Sequence, residues 1–367
     1  MRISLEPRYL LEALVYFNHR VNGQRISDRV DEMAADFGDS TVKLEEMLSP
    51  LIQLEAFLDE QIDVEGDRLE FFFRYLFHGS NNPITPITQC NIAALLLGGA
   101  AFGDAEPEEA FRSLTVLSEP EVISNFLFGL NQTDSALNKV SLDFKGLAAY
   151  LKSLSMPEQI KWRIMDAGMS YTELIGELAG ILCKAARQIE GRKTLYKPLL
   201  EAFGKKYGEA GDLRECLRDK LLCNLKPYRD ITLFPMLMVY NGVCLTTPGT
   251  SGGEREVLVF AGVFAEEFKT ANANEASVDM RFPDIIKLLA DPTRFDILCT
   301  LRDRPSYGQE LSERFNVNRT TVYHHLNKLQ KIHFVEPSFS GAKIYFTMNK
   351  QNVRKFMMRL NKLLLGE

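Results

Sequence analysis

The chain has 367 residues, 46% hydrophobic and 25% charged. This make-up points to a globular protein too long for one ordinary domain. No apolar run approaches the length needed to cross a bilayer, Asn91–Ala101 being too short. The formal net charge of −6 hides an asymmetry: residues 281–367 carry 15 Lys and Arg against 8 Asp and Glu, leaving 28 against 41 in residues 1–280. A small basic domain attached to an acidic remainder fits a polyanionic partner for the former.

The N-terminus, Met-Arg-Ile-Ser-Leu-Glu-Pro, places a carboxylate and a proline where a signal peptide needs an apolar stretch. A cytoplasmic location is expected. Residues 1–78 read as mainly helical, with Tyr9, Leu10, Ala13, Leu14 and Phe17 at helical spacing. Met33, Phe37, Leu44, Met47 and Leu51 continue such a face, and the aromatic run Leu69–Phe77 belongs in a core or at a subunit contact. Gly79–Pro86 is a turn-rich break and a possible sub-boundary. An apolar helix over Thr88–Leu97 precedes the interruptions at Gly98-Gly99 and Gly103. Ser155-Met-Pro-Glu158 and Ser170-Tyr-Thr-Glu173 have capping-box spacing, and the pattern from there to Lys220 is helical. Trp162, the one tryptophan, is assigned to core packing.

Near Asp230 the period changes. Ile231–Leu245 and Glu256–Val263 have strand composition, and the Thr-, Gly- and Pro-rich stretch between them reads as a loop. The expectation is a small antiparallel element or hairpin over about 231–263, with Pro235 placing the first strand at an edge or breaking it. Gly249–Gly253 lacks the Gly-Lys-Ser/Thr ending of a phosphate loop and serves as a hairpin connection. A polar helix near Ala265–Ala276 and the Ala-Asn-Ala-Asn-Glu-Ala stretch link to the last domain. The predicted fold is thus mainly α. A multi-helix region over 1–280 with a small antiparallel β element is followed by a winged helix-turn-helix domain over 281–367.

That last domain carries the chemistry. Pro283–Ala290 forms a short helix. Asp291 caps the next, Pro292 suits its first turn, and Phe295, Leu298 and Leu301 make its apolar stripe. Gly308–Phe315 is the first helix of the reader and Asn316-Val-Asn318 the turn. Val322, Leu326 and Leu329 define the buried side of a second helix capped by Asn318. The opposite side presents Thr320, His324, Asn327 and Lys331, flanked by Tyr323 and Lys328, with Arg319 at its start. These donors, acceptors and positive charges suit base edges and phosphates of double-stranded DNA. Phe334–Glu336 and Ala342–Thr347 form a wing with a turn at Ser338–Gly341, from which Lys343 either reaches a phosphate or is simply solvated. The DNA-binding set is therefore Asn318, Arg319, Thr320, Thr321, Tyr323, His324, Asn327, Lys328, Lys331 and Lys343. His325 lies nearer the buried stripe and packs inside, while Arg294 has either a phosphate or a structural role. Gln351–Leu365 is an amphipathic helix with Val353, Phe356, Met357, Leu360 and Leu364 on one side.

Asp291-Pro-Thr-Arg294, Tyr307-Gly-Gln-Glu-Leu311 and Thr321-Val-Tyr-His-His-Leu326 followed by Lys328-Leu329 resemble the winged helix-turn-helix domain of ArsR-type transcriptional regulators. The resemblance covers residues 282–347. It implies a homodimeric repressor or activator on a near-palindromic operator, with the end helices pairing across the dimer axis. Two departures matter. Tyr323 stands where such proteins commonly have a small serine. The thiol pair of the metal-sensing members is missing from Gly308–Phe315, and residues 351–367 contain no histidine for their other metal site. No metal or cofactor is expected.

The six cysteines, Cys90, Cys183, Cys216, Cys223, Cys244 and Cys299, lack Cys-x-x-Cys spacing, and most read as small buried apolar residues. Cys216 and Cys223 are spaced to share a helical face, but no further thiol or imidazole nearby completes a tetrahedral set. No nucleophilic, paired-carboxylate or metal constellation points to catalysis, so a regulator is expected and not an enzyme. Residues 1–280 would then sense a small-molecule effector or mediate dimerisation. The alternatives are an enzyme or a protein-interaction protein in which the winged helix is an accessory module. A deep polar pocket in residues 1–280 would favour the first, and a covered recognition face the second.

Overall fold

The computed structural model describes residues 2–28, 30, 41–76, 90–103, 105–130, 140–154, 156–209, 212–221, 225, 228–247, 256–268, 282–332, 334–340 and 343–365. Met33, Phe37, Phe77, the break at 79–86, Ser155, Cys223, the loop at 249–253 and the linker at 271–276 lie outside them. The chain forms two units. The first comprises residues 1–78, 83–211 and 229–265, the second 79–82, 212–228 and 266–367.

The first unit is built on helix α1 (Tyr9–Asn22), buried continuously from Leu10 to His19. Around it and its neighbours pack α2 (Thr41–Gln61), α3 (Gly66–Phe73), α4 (Ile92–Leu97), α5 (Pro107–Leu114), α6 (Glu119–Leu130), α7 (Phe144–Ser153), α8 (Glu158–Met169), α9 (Tyr171–Gly191) and α10 (Lys193–Gly208). The aromatic run goes inside, with Leu69, Phe72, Phe73 and Leu76 buried and Phe73 stacked on Phe17 at 4.8 Å. Each fully buried phenylalanine of this kind contributes roughly 2–3 kcal/mol. Asn91 caps α4 by accepting the Ala94 N–H at 2.8 Å and donates to Asn18 Oδ1 at 2.7 Å, so a buried polar pair fixes α4 to α1. Gly98 ends α4 at φ 53°, a conformation open to glycine, and its missing side chain makes room for Asn125.

Two carboxylates are taken deep into this unit. Glu12 accepts the Leu237 and Met238 N–H groups, both at 2.8 Å, tying α1 to the chain that follows the second strand. Glu55 accepts the Ile26 N–H at 2.9 Å. Burial, opposed by these hydrogen bonds, raises each to about 7.

The sheet of this unit differs from the expected antiparallel element. Its strands are β1 (Arg2–Ile3), β2 (Asp230–Met236), β3 (Val243–Thr246) and β4 (Glu256–Gly262), in the order β1-β2-β4-β3. β2 runs parallel to both β1 and β4, and β3 alone is antiparallel, forming the hairpin with β4. The stretch read as one strand, Ile231–Leu245, breaks at Leu237–Gly242, and β3 returns on the far side of β4. Pro235 is therefore not on an edge strand. Ser4 N–H donates to the Leu233 carbonyl, so alternation points the Pro235 nitrogen past the end of two-residue β1, where no donor is needed.

Two side-chain expectations, at Trp162 and Ser170, are also corrected. Trp162 is 70% exposed on α8, because Ile164, Ala167 and Gly168 already form the inward side of that helix. Ser170 makes no side-chain cap, since α9 follows α8 without a break and the Ser170 N–H still bonds back to the Asp166 carbonyl. Of the cysteines, Cys90, Cys183 and Cys244 are buried, whereas Cys216 and Cys299 are partly exposed.

The second unit contains α11 (Leu213–Leu221), then α12 (Phe282–Leu289), α13 (Pro292–Asp303), β5 (Ser306–Tyr307), α14 (Gly308–Phe315), α15 (Arg319–Lys331), β6 (Val335–Ser340), β7 (Lys343–Met348) and α16 (Lys350–Leu365). The sheet order is β5-β7-β6, all antiparallel. This is a three-helix core with a wing. The strands run further than expected, so Ser338–Ser340, read from sequence as part of the turn, lie in β6. The core gathers Ile297, Leu298, Leu301, Leu311, Val322, Leu326, Leu329 and Phe346. Phe295 is 53% exposed, against expectation, because Ile297 takes the inward position on α13. On α16, Phe356 packs edge-to-face on Phe334 at 5.3 Å with Val353 and Leu360 beside it, while Met357 is 49% exposed.

Candidate nucleic-acid interface

Local chemistry sets the helix that would read DNA. At Asn316, φ 51° ends α14 in the left-handed region, which asparagine tolerates, and the Ser312 hydroxyl donates to the Val317 carbonyl at 2.7 Å to hold the turn. Asn318 then caps α15. Its Oδ1 accepts the Thr321 N–H and the Thr321 hydroxyl, each at 2.7 Å. Val322, Leu326 and Leu329 are fully buried and fix the helix rotation.

That rotation sorts the expected contact residues into three groups. His324 is exposed on the side away from the buried stripe. Thr320 and Lys331 share its helical face by position, though their side chains, like that of Lys343, lie outside the described residues. Asn327 is partly buried at the same face. Arg319 opens the helix half-buried, with its guanidinium donating to Gln309 Oε1 on α14 at 3.3 Å. Sequence reading missed Gln309, which has no signal beyond its place one residue into α14.

A second group faces α13. Thr321 is held by the cap, His325 is buried with Nδ1 3.8 Å from Asp291 Oδ1, and Lys328 lies close enough to act on the same carboxylate. Asp291 itself caps α13 by accepting the Arg294 N–H at 2.9 Å. Burial would raise its pKa, but that hydrogen bond and the charges of Arg294, His325 and Lys328 together lower it. Burial in turn lowers His325, against the pull of Asp291 and with the help of Arg294, His324 and Lys328. Arg294 resolves to a structural role. Its Nε donates to the Leu288 carbonyl at 2.6 Å, which pins the last turn of α12 to the start of α13.

Tyr323 stands in a third direction, toward α14 and the wing. Its ring meets Phe346 of β7 edge-to-face at 6.0 Å. Burial raises the phenol's pKa, with Arg319 opposing.

Among the described residues, no group of three or more His, Cys, Asp and Glu side chains is placed to hold a metal ion, and no helix is long and apolar enough to cross a membrane.

A capped helix, a tight turn and a three-stranded wing on one core define a winged helix-turn-helix reader. Residues 291–336 match the family described as "Bacterial regulatory protein, arsR family". The chain is 30% identical over 66 residues to "Transcriptional repressor SdpR" of Bacillus subtilis (strain 168), covering 18% of this chain and 73% of that protein. It is 29% identical over 75 residues to "HTH-type transcriptional regulator KmtR" of Mycobacterium tuberculosis (strain ATCC 25618 / H37Rv), covering 20% of this chain and 58% of that one. No solved structure matches the chain. The chain belongs to the ArsR family of DNA-binding transcriptional regulators, and carries its reader near the C-terminus behind a long N-terminal region.

Proposed function

We propose that the protein is a homodimeric, non-enzymatic transcription regulator of the cytoplasm that lays α15 in the major groove of its operator. The observation that carries this reading is the outward side of α15. In an ArsR-type reader, that side presents His324 opposite a stripe fixed by three fully buried residues. Arg319 supplies a cation at the helix start, where such helices meet base edges. The basic balance of residues 281–367 supports phosphate contact. Ile286 on α12, Phe295 on α13 and Met357 on α16, each about half exposed, supply apolar surface for pairing two copies. Residues 1–280 are the effector region in this reading. A small molecule that binds them more tightly in one state of the dimer than in another would switch operator occupancy by that difference in affinity.

Selection of bound fragments from the genomic DNA of the source cell tests the reading. The expected fragments share a near-palindrome with half-sites about 10 base pairs apart, one turn of the duplex. Fragments with no common sequence would refute it.

A further inference from the structure

We infer that Tyr323 is a positioning residue that locks the recognition helix to the wing and to α14, and that it reads no base. The inference rests on the DNA-binding reading above and reassigns one of its residues.

Three elements meet on this ring. Tyr323 belongs to α15, Phe346 to β7 and Gly308 to the first position of α14. Phe346 is fully buried, and its ring lies 6.0 Å from that of Tyr323 at an interplanar angle of 69°. This is the edge-to-face geometry aromatic pairs favour. The phenol end of the ring is set by what Gly308 lacks. A Cβ there would lie 2.7 Å from Tyr323 Cζ and 2.8 Å from both Cε2 and Oη, closer than packed atoms come. Gly308 is buried and is not among the glycines of positive φ. It is therefore needed for space, not for backbone conformation.

The direction of the phenol follows. Its oxygen is among the atoms nearest that missing Cβ, so the hydroxyl end is turned back onto the first turn of α14. A side chain reaching a base edge would extend away from the protein, as His324 does one residue later. The ring instead fills the junction between helix and wing and holds the angle between them. It couples any base contact made by α15 to any phosphate contact made by β6 and β7.

Two experiments on the full chain test this. In selection from a random duplex library, Tyr323→Phe keeps the ring and removes the hydroxyl. Its base preferences should match the wild type at every position, whereas relaxed preference at one base pair by about tenfold or more, the scale of a lost base contact, would overturn the inference. The second is a double-mutant cycle. Gly308→Ala should weaken operator binding by about tenfold or more in the wild-type background, since the added methyl must displace the ring. In a Tyr323→Ala background the same change should alter affinity less than about threefold. Equal losses in both backgrounds would overturn the coupling. Thermal unfolding of the four proteins reads the same cycle without DNA. Failure of the wild-type chain to bind any duplex would sink the DNA-binding reading itself, whereas binding with Gly308 and Tyr323 uncoupled would sink only the role given to the ring.

Discussion

A chain carrying Arg319→Ala together with His324→Ala should lose about a thousandfold in affinity for its selected operator and bind it little better than random duplex. Each base-edge contact discriminates by roughly 1–3 kcal/mol, so two per protomer and four per dimer total about 4 kcal/mol even at the low end. Every 1.4 kcal/mol is about tenfold. The fold should survive, because His324 is exposed and Arg319 is only partly buried at the start of the helix, with its guanidinium donating to Gln309. The cap from Asn318 and the stripe of Val322, Leu326 and Leu329 remain. Nuclease footprints with unchanged positions and strength in the double variant would count against placing α15 in the groove.

The second large effect is a loss of stability with rising pH in the first unit. Glu12 and Glu55 are both raised from the ordinary 4.5 to about 7, burial being the main cause. A carboxyl whose folded pKa exceeds its unfolded one binds protons more tightly in the native state. Its contribution is fully present below 4.5 and is lost as pH rises through 7. Moving one carboxyl from 4.5 to about 7 is worth roughly 3 kcal/mol. The first unit should therefore unfold at distinctly lower urea concentration at pH 8 than at pH 5. Glu12→Gln should remove about half of that slope. It should also lower stability at both pH values, because one of the Leu237 and Met238 N–H groups then faces an amide N–H₂. A first unit that gains stability between pH 5 and pH 8 would contradict the assignment.

What the sequence made legible was short-range. Asp291 and Asn318 announce their helices because a cap acts on a backbone N–H three residues on. Val322, Leu326 and Leu329 announce the buried side of α15 because helical period repeats within two turns. The aromatic run near Phe72 is apolar enough to be buried by almost any partner. Interactions between distant parts of the chain were not legible. Glu12 meets backbone 225 residues away, and no local pattern marks a carboxylate for burial. The pairing of β2 with β4 depends on which side of β4 the intervening strand takes, and strand composition is silent on that. Trp162 and Phe295 sit on helices whose inward positions other residues fill, so size and apolarity misplaced both. Tyr323 lies on a polar flank of its helix by period alone. The missing side chain of Gly308, on another helix, and the ring of Phe346, on the wing, show where the ring goes.

Whether the C-terminal unit presents its positive charge to the phosphate backbone is tested most directly by the salt dependence of binding to random duplex. The full chain, titrated by anisotropy between 50 and 200 mM salt, should lose about a thousandfold in affinity or more if a dimer engages six or more phosphates. An affinity that stays flat across that range would contradict the account.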